Sequence, residues 1–297
     1  MSHYSVLAIV RKNSTRGLSD VMGPYDEELE VTPYIRETKE EVIKKFTERV
    51  KRYRRSYKRV LELSETEYEE VRDKEDLATC GYRKLREGLP KGYREVNLED
   101  PEAVYALFIE ENGKGEEFDG EGNIISTHNP DSKWDWYAIG GRYSNELILK
   151  NGEKANEAKA GDVDWDTMFK EPPSVIKKHD EFWEEYVLGN LPPEIAALDR
   201  KEKNDYLAEK YGWRIYYRPE YYLEYYGTKE EYLRRIQIWS TYAVVDENGW
   251  HEVGEMGWFG VSSETPDDEK EWADHFRARF IDTLDPKDSV VVLDCHI

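Results

Sequence analysis

The chain has 297 residues, of which 43 are basic and 64 acidic, for a net charge of −21. That charge argues against general nucleic-acid binding, because phosphates would be repelled. No run of about 18 apolar residues offers a membrane span. Aromatic residues make up 13% of the sequence, far more than an acidic disordered tail carries, so the chain is expected to fold. Two cysteines, Cys80 and Cys295, cannot build a disulfide framework, which fits a reducing cytoplasm. Residues 3–10 are strand-like and do not resemble a secretory signal.

Residues 3–10 read as a buried strand, β-branched and apolar, ending at Arg11-Lys12-Asn13. Residues 11–37, punctuated by Gly17, Gly23-Pro24 and Pro33, read as a long loop. Thr38 with Glu41 forms a capping box that starts a long helix, along which Val42, Phe46, Val50, Tyr53 and Tyr57 make one apolar stripe. Ser64 with Glu67 starts a second helix, to about Ala78. Residues 104–109 are expected as a strand. Residues 137–143, kinked at Gly140-Gly141, lead into a strand at 147–149. Residues 151–170 are small and polar and read as a surface excursion. Residues 172–239 are aromatic-rich and helical, broken by prolines, with Thr228 and Glu231 as a third capping box. Asn248-Gly249 between apolar runs signals a hairpin. Thr265-Pro266 starts a helix with stripe residues Trp272, Phe276 and Phe280, and residues 289–297 form a last strand.

The pattern predicts an α+β fold, with a mixed or antiparallel sheet formed by terminal and central segments and with helical insertions. The expected core is 1–37 plus 100–150 plus 240–297. The expected insertions are a helical one at 38–99 and an aromatic-rich helical one at 151–239. The two terminal strands are expected in one sheet.

Four places can carry chemistry. The first is at the termini: His3 opens one core strand, and Asp294 and His296 close another, sharing one face by strand alternation. They are the candidate catalytic residues, as a base and its orienter or as a partial metal site that lacks a third group, with His3 or His128 to supply it. The competing expectation is a hydrogen-bonded strand edge. Cys295 points the other way, as a small buried hydrophobe. If the terminal strands are adjacent and antiparallel, His3 and His296 meet; if parallel, they lie a strand length apart.

The second is the segment 128–142. Trp134 and Trp136, two residues apart, are expected on one side, and Arg142 can clamp a carboxylate or phosphate, so the three are candidate ligand-binding residues for a nucleobase or nucleotide. The alternative is that both tryptophans fill the core and Arg142 pairs locally. The third is the basic run on the long helix, Lys44, Lys45, Arg49, Lys51, Arg52, Arg54, Arg55, Lys58 and Arg59, with Tyr53 and Tyr57 interleaved. It is either the one place fit for nucleic acid, within 44–59, or a solvated face paired with glutamates of 62–70. The fourth is Gly257-Trp-Phe-Gly260, which can present Trp258 as a further ligand-binding residue. No Walker, dinucleotide, zincin, Cys-x-x-Cys or EF-hand spacing is present, so no cofactor and no metal is expected.

Several segments together resemble a widespread set of uncharacterised bacteriophage and prophage proteins. They are Met1-Ser-His-Tyr-Ser-Val-Leu, Gly23-Pro-Tyr-Asp-Glu27, Asn129-Pro-Asp-Ser-Lys-Trp-Asp-Trp-Tyr137, Ile139-Gly-Gly-Arg142, Gly257-Trp-Phe-Gly260 and Asp294-Cys-His-Ile297. The resemblance implies a phage protein acting in the host cytoplasm, and no mechanism. Size and charge are also similar to those of phage inhibitors of the Gabija defence nuclease. The expectation is therefore an acidic anti-defence binding protein that inhibits a host protein, such as a DNA-processing defence complex or another nucleic-acid enzyme. The alternative is a small-molecule or nucleotide-binding protein, or a hydrolase, with its site around Trp134, Arg142 and His296. Whether a reaction is catalysed, and whether the chain forms homo-oligomers, stays open at this level.

Overall fold

A computed structural model describes residues 2–78, 81–257 and 261–297. The fold is α+β, as expected. The chain divides into two compact units, Met1–Leu29 with Asn129–Ile297, and Glu30–His128.

The first unit is built on a six-stranded mixed sheet. Its central strands are the chain's two ends: His3–Val10 lies antiparallel to Ser289–His296 along the full length of both, from His3 opposite His296 to Val10 opposite Ser289. This is the predicted pairing of the terminal strands. On its other side His3–Val10 runs parallel to Ala243–Asp246, which forms the predicted hairpin with Gly249–Glu252. The loop is Glu247-Asn248, and Gly249, at φ +130°, already pairs with Asp246. The outer edge of Ser289–His296 is shared by two short strands, Trp136–Ile139 and Glu157–Lys159.

Alternation along the paired terminal strands gives the sheet two faces. Leu7, Ile9, Val290 and Val292 face one way, and the helix Pro266–Phe276 with the turn after it packs Trp272, Phe276 and Phe280 onto the same cluster. Tyr4, Val6, Ala8, Val291, Leu293 and Cys295 face the other way, onto Val21, Met22 and Trp134. An aromatic cluster around Phe182, Trp183, Tyr211 and Tyr232 holds the helices of 173–235 together. Residues 11–37 are more ordered than a loop: they contain a helix, Leu18–Met22, whose last two side chains are buried, and a strand, Tyr34–Glu37. Residues 151–170 are not a pure surface excursion either, because Ala160, Val163 and Met168 reach the main core.

The second unit is organised by the helix Lys39–Glu62. Thr38 and Glu41 cap it reciprocally, and Val42, Phe46 and Val50 are buried, as the spacing predicts. The buried Ser56 is satisfied: its hydroxyl donates to the Arg52 carbonyl and accepts from the Ala78 N–H. The second capped helix is shorter than expected, Glu65–Val71. The expected strand at 104–109 is instead part of a helix, Pro101–Asn112. Asp100 caps it by accepting from the N–H groups of Glu102 and Ala103, and Pro101 occupies its first turn. These start signals outweigh a six-residue apolar run, which by itself suits a strand and a buried helix equally.

Five of the nine basic side chains of the run on the long helix are ion-paired within their own unit. Arg59 pairs with Glu62 and Glu75, Arg52 and Arg55 with Asp76, Lys45 with Glu37 and Lys51 with Glu48. Arg54 donates to the carbonyls of Tyr93, Arg94 and Val96. Tyr53 and Tyr57 lean on the buried core of this unit. Of the glutamates at 62–70, Glu62 takes part, whereas Glu67 caps its helix and Glu65 and Glu69 pair with Arg83 and Arg72. No described helix is long and apolar enough to cross a membrane.

Candidate active site at the paired chain termini

Full antiparallel registry places His3 directly opposite His296 on the same face of the sheet. The two imidazole rings stand edge to face with centroids 5.0 Å apart. Each is held by a carboxylate of its own. His3 Nδ1 lies 2.8 Å from Asp294 Oδ1, and His296 Nδ1 lies 2.7 Å from Asp135 Oδ1. An ionised carboxylate only accepts, so in each pair Nδ1 carries the proton and donates it. The neutral ring then presents a bare Nε2 lone pair, and the charged ring an Nε2–H. Neither Nε2 has a hydrogen-bond partner among the described residues, and neither atom is fully buried, although His296 as a whole is only 5% exposed.

The expected Asp294–His296 couple is therefore corrected. Both lie on one face, but each serves a different partner: Asp294 orients His3 and Asp135 orients His296. Asp294 stands diagonally across the strand pair from His3, since its direct partner is Ser5, and its carboxylate turns to that ring, while Asp135, next to the edge-strand partner of His296, takes the other.

The turn after Trp136–Ile139 completes the support of Asp294. Its second oxygen accepts the backbone N–H of Arg142 at 2.9 Å, so both oxygens of a side chain only 4% exposed are used. Gly141 makes this approach possible. It has φ +52°, and a Cβ there would lie 2.5 Å from the Asp294 carboxylate. The Arg142 side chain is exposed and has no partner among the described residues. Tyr143, on the same turn, donates its hydroxyl to the His3 carbonyl at 3.4 Å, and burial pushes that hydroxyl up from its ordinary range.

Trp136 forms a wall. Its ring lies parallel to His296 at 5.0 Å and edge-on to His3 at 5.2 Å, and the residue is 44% exposed. Trp134 does not share its side, contrary to the expectation. It is buried on the opposite face with Tyr4 and Cys295, and its indole N–H donates to the Met22 carbonyl. Regular alternation starts only at Trp136, where pairing with the last strand begins. Residue 134 is bonded to the Gly23–Tyr25 turn instead, through the Tyr25 carbonyl.

Of the other candidates, Cys295 is buried as predicted, and burial pushes its thiol up. His128 is exposed and belongs to the Glu30–His128 unit. Trp258 lies outside the described residues. No cluster of three or more potential metal ligands occurs among the described residues. Asp135 went unread as a site residue, although it stands between the two tryptophans. Its role depends on the register of His296 opposite Trp136. Comparison with protein-family models, with curated proteins and with solved structures gives no match.

Proposed function

We propose that the paired imidazoles form a general acid–base site that cleaves a phosphoester of a small, nucleotide-like substrate. The observation that carries this reading is the pair of His–carboxylate couples side by side, each with an Nε2 that no described residue engages. One neutral imidazole takes the proton of an attacking hydroxyl, from water or from the substrate itself, as the new O–P bond forms. The other, protonated, gives its proton to the leaving oxygen as the old P–O bond breaks. Proton transfer by a positioned group of this kind contributes about 10²–10⁴ in rate. The free Arg142 guanidinium is suited to an anionic ester, and the open Trp136 face to a planar base. Asp294 and Asp135 act as positioning residues that set the tautomer. A net charge of −21 favours a small substrate over a long polyanion, which would meet the whole repulsive field.

The test is turnover of thymidine 5′-p-nitrophenyl phosphate and of 2′,3′-cyclic nucleotides by the full chain, by His3→Ala and by His296→Ala. Release of product that passes through an optimum with pH, and that either substitution removes, supports the reading. Turnover left unchanged in both variants overturns it.

A second reading is favoured by the charge itself. An acidic phage protein of this kind can occupy the basic channel of a host DNA-processing defence complex, its carboxylates standing in for phosphates. The internal pairing of the basic helix leaves the acidic excess as the dominant field. Co-purification of a host nuclease that is lost between low salt and about 0.5 M salt, where screening acts over a few ångströms, supports this reading. Absence of any salt-sensitive partner counts against it.

A further inference from the structure

A cavity in the same unit as the imidazole pair has none of the imidazole-site residues in its lining. It is open, about 350 Å³ in volume, and is lined by Tyr226, Tyr242, Trp272, Glu264 and Glu269, with Arg235 at its wall. We propose that this cavity binds a small organic cation, an ammonium or guanidinium group on a compact apolar body.

Three features point there. The aromatic rings are fixed: the Trp272 indole N–H donates to the Thr241 carbonyl at 2.9 Å, and the Tyr242 hydroxyl donates to the Gly254 carbonyl at 2.5 Å. Ring faces held in place attract a cation through their quadrupoles and accept an apolar body without reordering. The carboxylates are uncommitted: neither Glu264 nor Glu269 has an ion-pair partner among the described residues, and the Tyr242 oxygen stands 3.4 Å from Glu264 with its proton given to Gly254. Arg235 does not fill that role. Its Nε is 3.0 Å from Glu231, its Nη2 donates to the Pro266 carbonyl, and its guanidinium lies over the rings of Tyr225 and Tyr226.

Burial pushes the Glu269 carboxyl up, and both carboxylates raise the neighbouring Tyr221 hydroxyl, which burial above all pushes up to about 12. The cavity thus sets carboxylates without an ion-pair partner next to aromatic rings, an arrangement suited to a cation. A hard divalent metal is a poor fit, since it asks for six or more oxygen ligands and the walls are mostly rings. The volume stands near the lower end of the roughly 300–1,000 Å³ range of small-molecule sites.

The test is calorimetric titration of the full chain with agmatine, with choline and with neutral 1-butanol, repeated for Glu269→Gln and Trp272→Leu. One of the two cations should bind while butanol does not. Glu269→Gln should weaken that binding at least tenfold without lowering thermal stability, since the amide replaces a carboxyl whose ionisation burial opposes. Trp272→Leu should weaken it in parallel. Failure of both cations to bind at millimolar concentration, or binding that Glu269→Gln leaves unchanged in a folded protein, would overturn the proposal.

Discussion

Two histidine environments in the same unit look alike in composition and differ in what they can do. His3 and His296 each meet an aromatic ring and a hydrogen-bond partner, and so does His179. His179, however, has a tyrosine hydroxyl at its Nδ1, that of Tyr232 at 2.5 Å, and its ring lies flat on Trp213 with centroids 4.3 Å apart. No carboxylate pairs with it among the described residues, and burial pushes its pKa down. Its proton has nothing to stabilise it, so this ring serves as a neutral packing element of the aromatic cluster. At the chain termini the partners are carboxylates, and the far ring nitrogens stay open. An aromatic neighbour therefore says little about a histidine; the group at Nδ1 and the fate of Nε2 say what it does.

The strongest way to break the comparison is to remove the rings. His3→Ala and His296→Ala should each lower phosphoesterase turnover by about 10²–10⁴, and the double variant should lose little more, because the two act in one step. Their stabilities should differ. His3→Ala strips Asp294, 4% exposed, of one partner and should cost about 1–3 kcal/mol by denaturant unfolding. His296→Ala leaves Asp135, which is 35% exposed and can rehydrate, so the loss should be smaller. His179→Phe, by contrast, should leave turnover unchanged. Full turnover in His3→Ala would place these rings with His179, as structure alone.

Gly141→Ala sharpens the comparison by disturbing the carboxylate instead of the ring. The new Cβ would strike Asp294 and must adopt a positive φ, at a cost of about 1–3 kcal/mol for the backbone. A misplaced Asp294 should reduce turnover by up to about 10²-fold with both histidines intact. Wild-type rates in this variant would mean that the Asp294 support is unnecessary.

The smallest effect is in stability against pH. The folded pKa of His179 lies below the unfolded value of 6.5, so the unfolded chain binds more protons at acid pH. Its contribution is complete above the unfolded value and is lost as pH falls through the depressed folded one. Urea unfolding of wild type and of His179→Phe should show this as a steeper loss for the wild type between pH 7 and pH 5. Equal slopes would indicate that the ring takes up its proton in place.

Much of the fold was legible because local physics specifies it. The capping pairs Thr38/Glu41 and Ser64/Glu67 form as read, since each satisfies backbone donors within four residues. Thr228 caps its helix, but its expected partner Glu231 turns to Arg234 and Arg235, which hold its carboxyl down at about 2. The two ends of the chain read as strands because their short apolar runs are rich in β-branched residues. The run 104–109 was misread because six apolar residues serve either geometry, and the deciding signals, Asp100 and Pro101, lie just before it.

Strand alternation, read from the sequence, already placed Asp294 with His296 and set Cys295 apart, because a period of two belongs to any extended chain. It could not pair them, since partners across a sheet are chosen by register, and register is a property of two strands at once. The order of residues determined that His3 opens a core strand and His296 closes one. The antiparallel docking of strands some 290 positions apart, and the edge strand that carries Asp135 and Trp136 alongside, were decided by burial of Leu7, Val292 and their neighbours on both faces of the sheet. Hydrophobic packing therefore selected the register, and the register brought two imidazoles and two carboxylates within reach of one another.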